Sequence, residues 1–144
     1  MNCGTTSRPV KRKRGTVDIK PILKAMLLCD MTIVEDGTRK RSLIGLFDRV
    51  KSSKFPTVHG SMSVYVQFRE IEGMFDFVLE LYDLAEDKTL HKATVKDFKV
   101  QEKSRDCELV FNLLSVRFAH PGDYEFRIYA NDTIFGQKSF QVIQ

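Results

Sequence analysis

The sequence predicts an all-β domain of two antiparallel sheets packed face to face, about eight strands in all, and three observations carry that prediction. Apolar residues recur with a period of two in run after run. Turn residues separate the runs at intervals of about ten to fifteen residues, and no long stretch carries the period of an amphipathic helix.

Leu23, Ala25, Leu27, Cys29, Met31 and Ile33 share one parity and give the first strand; Glu35-Asp36-Gly37-Thr38 then turns the chain back. Leu43, Ile44, Leu46, Phe47 and Val50 suit one helix face as well as a strand, and Gly45, a poor helix former, decides for a strand over about residues 40–47. The polar loop Lys51-Ser52-Ser53-Lys54-Phe55-Pro56-Thr57 follows. Met62, Val64, Val66 and Phe68 alternate with Ser61, Ser63, Tyr65, Gln67 and Arg69. After Glu70-Ile71-Glu72-Gly73, the set Phe75, Phe77, Leu79 and Leu81 faces away from Asp76, Glu80 and Tyr82, so the two runs read as a hairpin.

Residues 88–103 scatter Lys88, Lys92, Lys96, Lys99 and Lys103 among Thr, Val and Phe, a composition that guards a sheet edge. Residues 107–118 contain Leu109-Val110-Phe111-Asn112-Leu113-Leu114, apolar on both parities, which predicts a central strand covered on both sides. Tyr124, Phe126, Ile128 and Ala130 alternate with Asp123, Glu125, Arg127 and Tyr129, and Asn131-Asp132 reverses the chain. The last run, residues 133–143, breaks its parity near Gly136, which predicts a bulge. Tyr124, just inside its strand after Pro121-Gly122, is placed like the tyrosine of the corner in immunoglobulin-like sandwiches, whose hydroxyl bonds backbone near the turn. The expected type of sandwich is therefore immunoglobulin-like.

With 144 residues, 42% apolar and 29% charged, the chain is long enough to bury one core without a disulfide, a metal or a cofactor. No apolar run approaches the ~20 residues of a membrane-crossing helix, and the first residues lack the apolar segment of a signal peptide, so a cytoplasmic location is expected. The net charge of +4 is uneven: residues 1–54 carry +8 and residues 55–144 carry −4. Much of the excess is Lys11-Arg12-Lys13-Arg14, set among Pro9, Gly15 and small polar residues. Residues 1–21 are read as a flexible basic arm, and residues 22–144, with net charge −1, as the folded domain. Cys3, Cys29 and Cys107 are odd in number and far apart, which gives neither a disulfide framework nor a zinc signature; Cys29 and Cys107 read as small buried hydrophobes in a reducing compartment.

Leu27-Leu28-Cys29-Asp30, Leu43-Ile44-Gly45-Leu46-Phe47-Asp48-Arg49-Val50, Phe55-Pro56 and Pro121-Gly122-Asp123-Tyr124-Glu125-Phe126 together resemble a family of short bacterial proteins classed as a domain of unknown function, which reads LLCD, then GxFDRI, then PGxYxF. The resemblance covers about residues 24–144 and implies a compact β domain of bacterial or phage origin. It carries over no catalytic or binding residues. In such proteins the chain is expected to begin close to Met26, so the basic arm departs from the pattern.

No GxSxG, HExxH, P-loop or Rossmann glycine pattern occurs. His59, His91 and His120 each stand alone, and His59 and His120 lie beside turns, where a solvated imidazole is the default. Glu35-Asp36, Glu70 with Glu72, and Glu86-Asp87 fall in turns that keep acids solvated. Asp30 and Asp48 interrupt or end apolar stretches and read as structural acids partnered by Lys24 or Arg49. The chain is thus expected to be non-enzymatic, with no metal and no cofactor. What remains is surface. Tyr65, Tyr82 and Tyr129 fall on solvent-facing parities, Arg69 beside Tyr65 and Arg127 beside Tyr129. Tyrosine and arginine are enriched at binding hot spots, so Tyr65, Arg69, Arg127 and Tyr129 form a candidate interaction patch for a protein partner. The alternative is sequence-nonspecific binding of nucleic acid or another polyanion through Lys11, Arg12, Lys13 and Arg14, with an affinity that falls steeply with salt. The arm has no aromatic residues to stack on bases.

Overall fold

The computed structural model describes residues 20–69, 71–101 and 105–144; the basic arm through residue 19, with Lys11, Arg12, Lys13 and Arg14, lies outside the described residues. Nine strands follow one another: β1 (Ile22–Val34), β2 (Arg41–Leu46), β3 (Arg49–Lys51), β4 (Thr57–Arg69), β5 (Gly73–Asp83), β6 (Lys88–Val100), β7 (Cys107–Phe118), β8 (Gly122–Ala130) and β9 (Thr133–Ile143). They form a four-stranded sheet in the order β2-β1-β4-β7 and a five-stranded sheet in the order β3-β9-β8-β5-β6. No helix among the described residues is long and apolar enough to cross a membrane.

The core lies between the sheets and is filled by the parities that alternation predicts. Met62, Val64, Val66 and Phe68 enter from β4; Phe75, Phe77, Leu79 and Leu81 from β5; Tyr124, Phe126, Ile128 and Ala130 from β8; all are buried. Each large side chain so buried contributes roughly 1.5–3 kcal/mol. Phe77 meets Phe98 edge to face at 5.4 Å, and Phe118 meets Tyr124 the same way at 4.9 Å, the geometry that aromatic quadrupoles favour. Asn131 and Asp132 close the β8–β9 hairpin with φ of 44° and 69°, the left-handed pair that a two-residue turn requires. The residues from 41 to 46 are a strand, as Gly45 suggested, and β6 with its lysines is an edge.

Four expectations are corrected. Residues 61–69 and 75–81 are not a hairpin: β4 and β5 lie in different sheets, and the buried Ile71 fills the crossing between them. β7 is an edge strand, not a central one. Its run Leu109–Leu114 is apolar on both parities because Val110 lies beside Tyr65 on the outer face and Leu114 is left exposed there, while Leu109, Phe111 and Leu113 point inward; past Ser115, at φ 54°, the inward residues are Val116 and Phe118, of the other parity. β3 is an additional strand and pairs β9 in parallel, bringing Val50 opposite Val142, so the sandwich is not wholly antiparallel.

The fourth correction concerns β1. A bulge between Leu23 and Ala25 interrupts its pairing with β4. Leu23 packs against the core, but beyond the bulge the core residues are Met26 and Leu28, of the opposite parity. Met31 and Ile33 consequently lie on the outside. A second bulge, the one expected near Gly136, sits on β9, where Ile128 opposes Gly136 and Tyr129 opposes Ile134. The extra residue, Phe135, reaches the core, 5.8 Å from the Phe68 ring. Gly136 is required there by space: a Cβ would stand 2.8 Å from Leu23 and 3.1 Å from Ile128.

Candidate functional site

The outer face of the five-stranded sheet carries the densest set of polar side chains. Antiparallel register places Glu80 opposite Arg127 and opposite Lys92, and Tyr82 opposite Glu125. Arg127 donates from Nε to Glu125 at 2.7 Å, lies 3.8 Å from Glu80, and holds its guanidinium 3.9 Å from the centre of the Tyr82 ring. Tyr129 donates to Glu80 at 3.4 Å, Lys92 stands 3.9 Å from the same carboxylate, and the Tyr82 hydroxyl donates to Asp87. Burial, and then the Glu80 charge, pushes the Tyr129 hydroxyl above its ordinary range, so it stays a donor at neutral pH. Surface pairs of this kind, each with at least one side chain still partly in water, are worth about 0–1 kcal/mol each, so this web orders the face more than it stabilises the fold.

The four residues proposed as one interaction patch are divided by the structure. Arg127 and Tyr129 belong to β8, whereas Tyr65 and Arg69 belong to β4 in the other sheet, and the outer parities of the two sheets face opposite ways. Tyr65 is only 8% exposed, flanked across its strand by Leu27 and Val110. Its hydroxyl donates to Glu108; burial first, and then that bond, raises its pKa far above the ordinary tyrosine value. Ser63 donates to Asn112 at 2.6 Å on the same face, and Arg69 pairs with Asp106 at 3.2 Å. Tyr65 is a strand-linking residue. Tyr82, on a different sheet, is the aromatic that accompanies Arg127.

A second constellation joins three elements at one end of the sandwich. Tyr124 donates to the His120 carbonyl at 2.7 Å, the bond expected of a tyrosine corner. His120 is not a solvated imidazole: Nδ1 faces the Pro121 carbonyl at 2.7 Å and Nε2 faces Asp83 at 2.8 Å. Asp83, 2% exposed, uses its other oxygen to accept from the backbone N–H groups of Ala85 and Glu86, each at 3.1 Å, and so fixes the β5–β6 turn. The Pro121 carbonyl and then Asp83 raise the His120 pKa above 6.5, because the imidazolium donates to both. With both nitrogens engaged, the ring has no lone pair to offer a substrate or a metal in this arrangement. The trio is a latch between turns. Asp83 before a turn signals such a loop bond in the sequence, but nothing in the spacing pairs it with His120.

Other candidates are dispersed. His91 is exposed, and His59 lies half-buried with its ring 5.8 Å from Phe47. Asp30 and Asp48 are both exposed, and Asp48 reaches Arg49 only at 3.8 Å, so neither is the buried, pinned acid expected. Asp30 has a different role. Gly45 has φ 73°, and a Cβ on it would stand 2.4 Å from Asp30 Oδ2, so Asp30 of the first sequence word packs onto Gly45 of the second. Cys29 is a buried free thiol, as a small buried hydrophobe is expected to be, whereas Cys107, equally buried, is disulfide-bonded. Among the described residues no three His, Cys, Asp or Glu side chains cluster as metal ligands. A groove of about 350 Å³ runs between Pro121–Asp123 and Gln141–Gln144, with Asp123 its only charged side chain.

Two facing sheets and a tyrosine corner define an immunoglobulin-like β-sandwich. The chain belongs to a family described as "Family of unknown function (DUF6941)", whose model matches residues 24–143. No curated protein matches it. Among solved structures it is similar to an immunoglobulin-like protein from Pseudomonas aeruginosa, with 13% identity, 86% of this chain and 97% of that chain covered, and a TM-score of 0.43. It is also similar to beta-glucosidase 3B from Thermotoga neapolitana in complex with glucose, with 13% identity, 63% of this chain and 16% of that chain covered, and a TM-score of 0.42.

Proposed function

We propose that this domain is a non-enzymatic module that binds another protein through the outer face of its five-stranded sheet. The observation that carries the reading is the fixed position of Arg127 over Tyr82, held by Glu125 and Glu80 and flanked by Tyr129. Ordering a long side chain on binding costs roughly 0.5–1.5 kcal/mol, so a guanidinium and two rings already placed bind with less of that cost. Glu80, Glu125 and Asp87 offset the basic charge of Arg127 and Lys92, which suits a mixed-charge protein surface better than a phosphate backbone. The engaged nitrogens of His120, in the turns beside this face, support the reading without catalysis.

The basic run Lys11-Arg12-Lys13-Arg14 supports a second reading, nonspecific binding of nucleic acid through the arm, since the chain from residue 22 onward carries a net charge of only −1. Affinity capture with the full chain, with and without nuclease, separates the two. A protein retained in both conditions and lost with Arg127→Glu supports the sheet-face module. Material that vanishes with nuclease, and with alanine at residues 11–14, puts the arm in its place.

A further inference from the structure

We propose that the proton on His120 sets the β5–β6 turn and, through it, the place of Tyr82 beneath Arg127, so that the outer face of the five-stranded sheet is assembled while the imidazole is protonated and loosens when the proton leaves. What the device regulates rests on the reading of that face as the binding surface; the coupling itself belongs to the chain alone.

The His120 ring stands between two acceptors. Nδ1 lies 2.7 Å from the Pro121 carbonyl and Nε2 lies 2.8 Å from Asp83. Only the imidazolium has an N–H for each; a neutral ring carries a single N–H and turns a lone pair toward the other oxygen. If that N–H stays with Pro121, the buried Asp83 keeps its charge and loses a donor. If it stays with Asp83, Nδ1 faces the Pro121 carbonyl unprotonated, and the bond that remains no longer has a charge on its donor. Among the described residues the charged groups facing the ring are both acids, Asp83 at the end of β5 and Glu86 of the turn, 4.0 Å from Nε2. From β8, the Tyr124 ring stacks on it at 5.7 Å. This setting keeps the ring protonated past its ordinary pKa of 6.5.

Asp83 carries the change into the turn. Its second oxygen accepts from the N–H groups of Ala85 and Glu86, so one carboxylate ties the imidazole to the backbone that follows. At the far end of the same turn Asp87, with φ 54°, accepts from the Tyr82 hydroxyl, and the Tyr82 ring lies 3.9 Å from the Arg127 guanidinium. Consecutive residues of a strand point to opposite sides, so β5 gives Tyr82 to the web and Asp83 to the latch; Tyr82 opposes Glu125 and Asp83 opposes Tyr124. Latch and web therefore share one turn, which Asp83 opens and Asp87 closes.

From about pH 6 to about pH 8.5 carboxylates stay ionised and tyrosines stay protonated, which isolates the imidazoles. Nuclear magnetic resonance of the isotope-labelled full chain across that range tests the coupling, following the His120 imidazole, the Ala85 and Glu86 amides and the Tyr82 ring. All are expected to shift with one common midpoint, above 6.5. In His120→Gln, whose side-chain amide donates to Asp83 at every pH, the turn amides and the Tyr82 ring should cease to shift. His91, opposite Leu81 on the neighbouring strand, is the control: His91→Gln leaves the response as it is. Asp87→Gly, which suits the left-handed backbone and removes the acceptor, should keep the shift at Ala85 and Glu86 and abolish it at Tyr82. A Tyr82 ring indifferent to pH, one that still titrates in His120→Gln, or one that responds equally in Asp87→Gly overturns the proposal. None of these readings needs a partner, so a negative result removes the coupling and leaves the sheet-face module to its own Arg127→Glu capture.

Discussion

On the outer face of the five-stranded sheet, Glu80, Tyr82, Glu125, Arg127 and Tyr129 bond to one another in a connected web, whereas the outer face of the four-stranded sheet is polar along β4 and β7 and oily along β1 and β2. Strand alternation alone gives both faces the same description. What separates them is lateral position. Tyr65 sits on a central strand between Leu27 and Val110 and is covered; Tyr82, near the end of its strand, supports a guanidinium that is still partly in water. An outward parity thus specifies a direction, and the cross-strand neighbours decide whether that direction leads to water.

The largest effect that would sharpen this contrast is at Tyr65. Replacing it with alanine removes a covered ring and leaves Glu108 without its donor, an expected loss of about 3 kcal/mol in urea unfolding, while Tyr82→Ala leaves the midpoint nearly unmoved. Equal losses would show that the two faces are equally buried. Gly45→Ala comes next, at about 2 kcal/mol, because it combines a left-handed backbone with a clash against Asp30. The paired change with Asp30→Ala should relieve the clash and recover part of that loss; no recovery would assign the cost to φ alone.

His120 gives a smaller effect with a defined sign. Its folded pKa lies above 6.5, so its contribution is complete below about pH 6.5 and is lost as pH rises through the folded value. The melting temperature should fall over that window in the native chain more than in His120→Gln, and parallel curves for the two would show that the latch does not hold an imidazolium. Arg127→Ala is the smallest, under about 1 kcal/mol, because the guanidinium it removes sits on the sheet surface with a quarter of the side chain still in water. A larger drop would make the web structural and remove it as an open binding face.

The inward parities of β4, β5 and β8, the lysine-guarded edge, the Asn131-Asp132 reversal, the bulge near Gly136 and the bond of Tyr124 were legible because each depends on residues close together in the chain. The sheet membership of β4 and β5 was not, since a short connection suits a hairpin and a crossing equally until Ile71 is seen buried between the layers. The grouping of the Tyr–Arg set was not legible either: Arg127 and Tyr129 are neighbours, but the aromatic beside them is Tyr82, which the β5–β8 register selects. The His120–Asp83 contact likewise arises from that pairing and from no local spacing.

The bulge between Leu23 and Ala25 has the effect of a frameshift in β1. Read without it, Leu23, Ala25, Leu27, Cys29, Met31 and Ile33 form an unbroken oily phase that the core would take whole. Read with it, the strand changes frame after its first turn of pairing, and the far half of that phase emerges at the surface. One inserted residue therefore rewrites the solubility of a whole sheet margin without altering a single side chain along it.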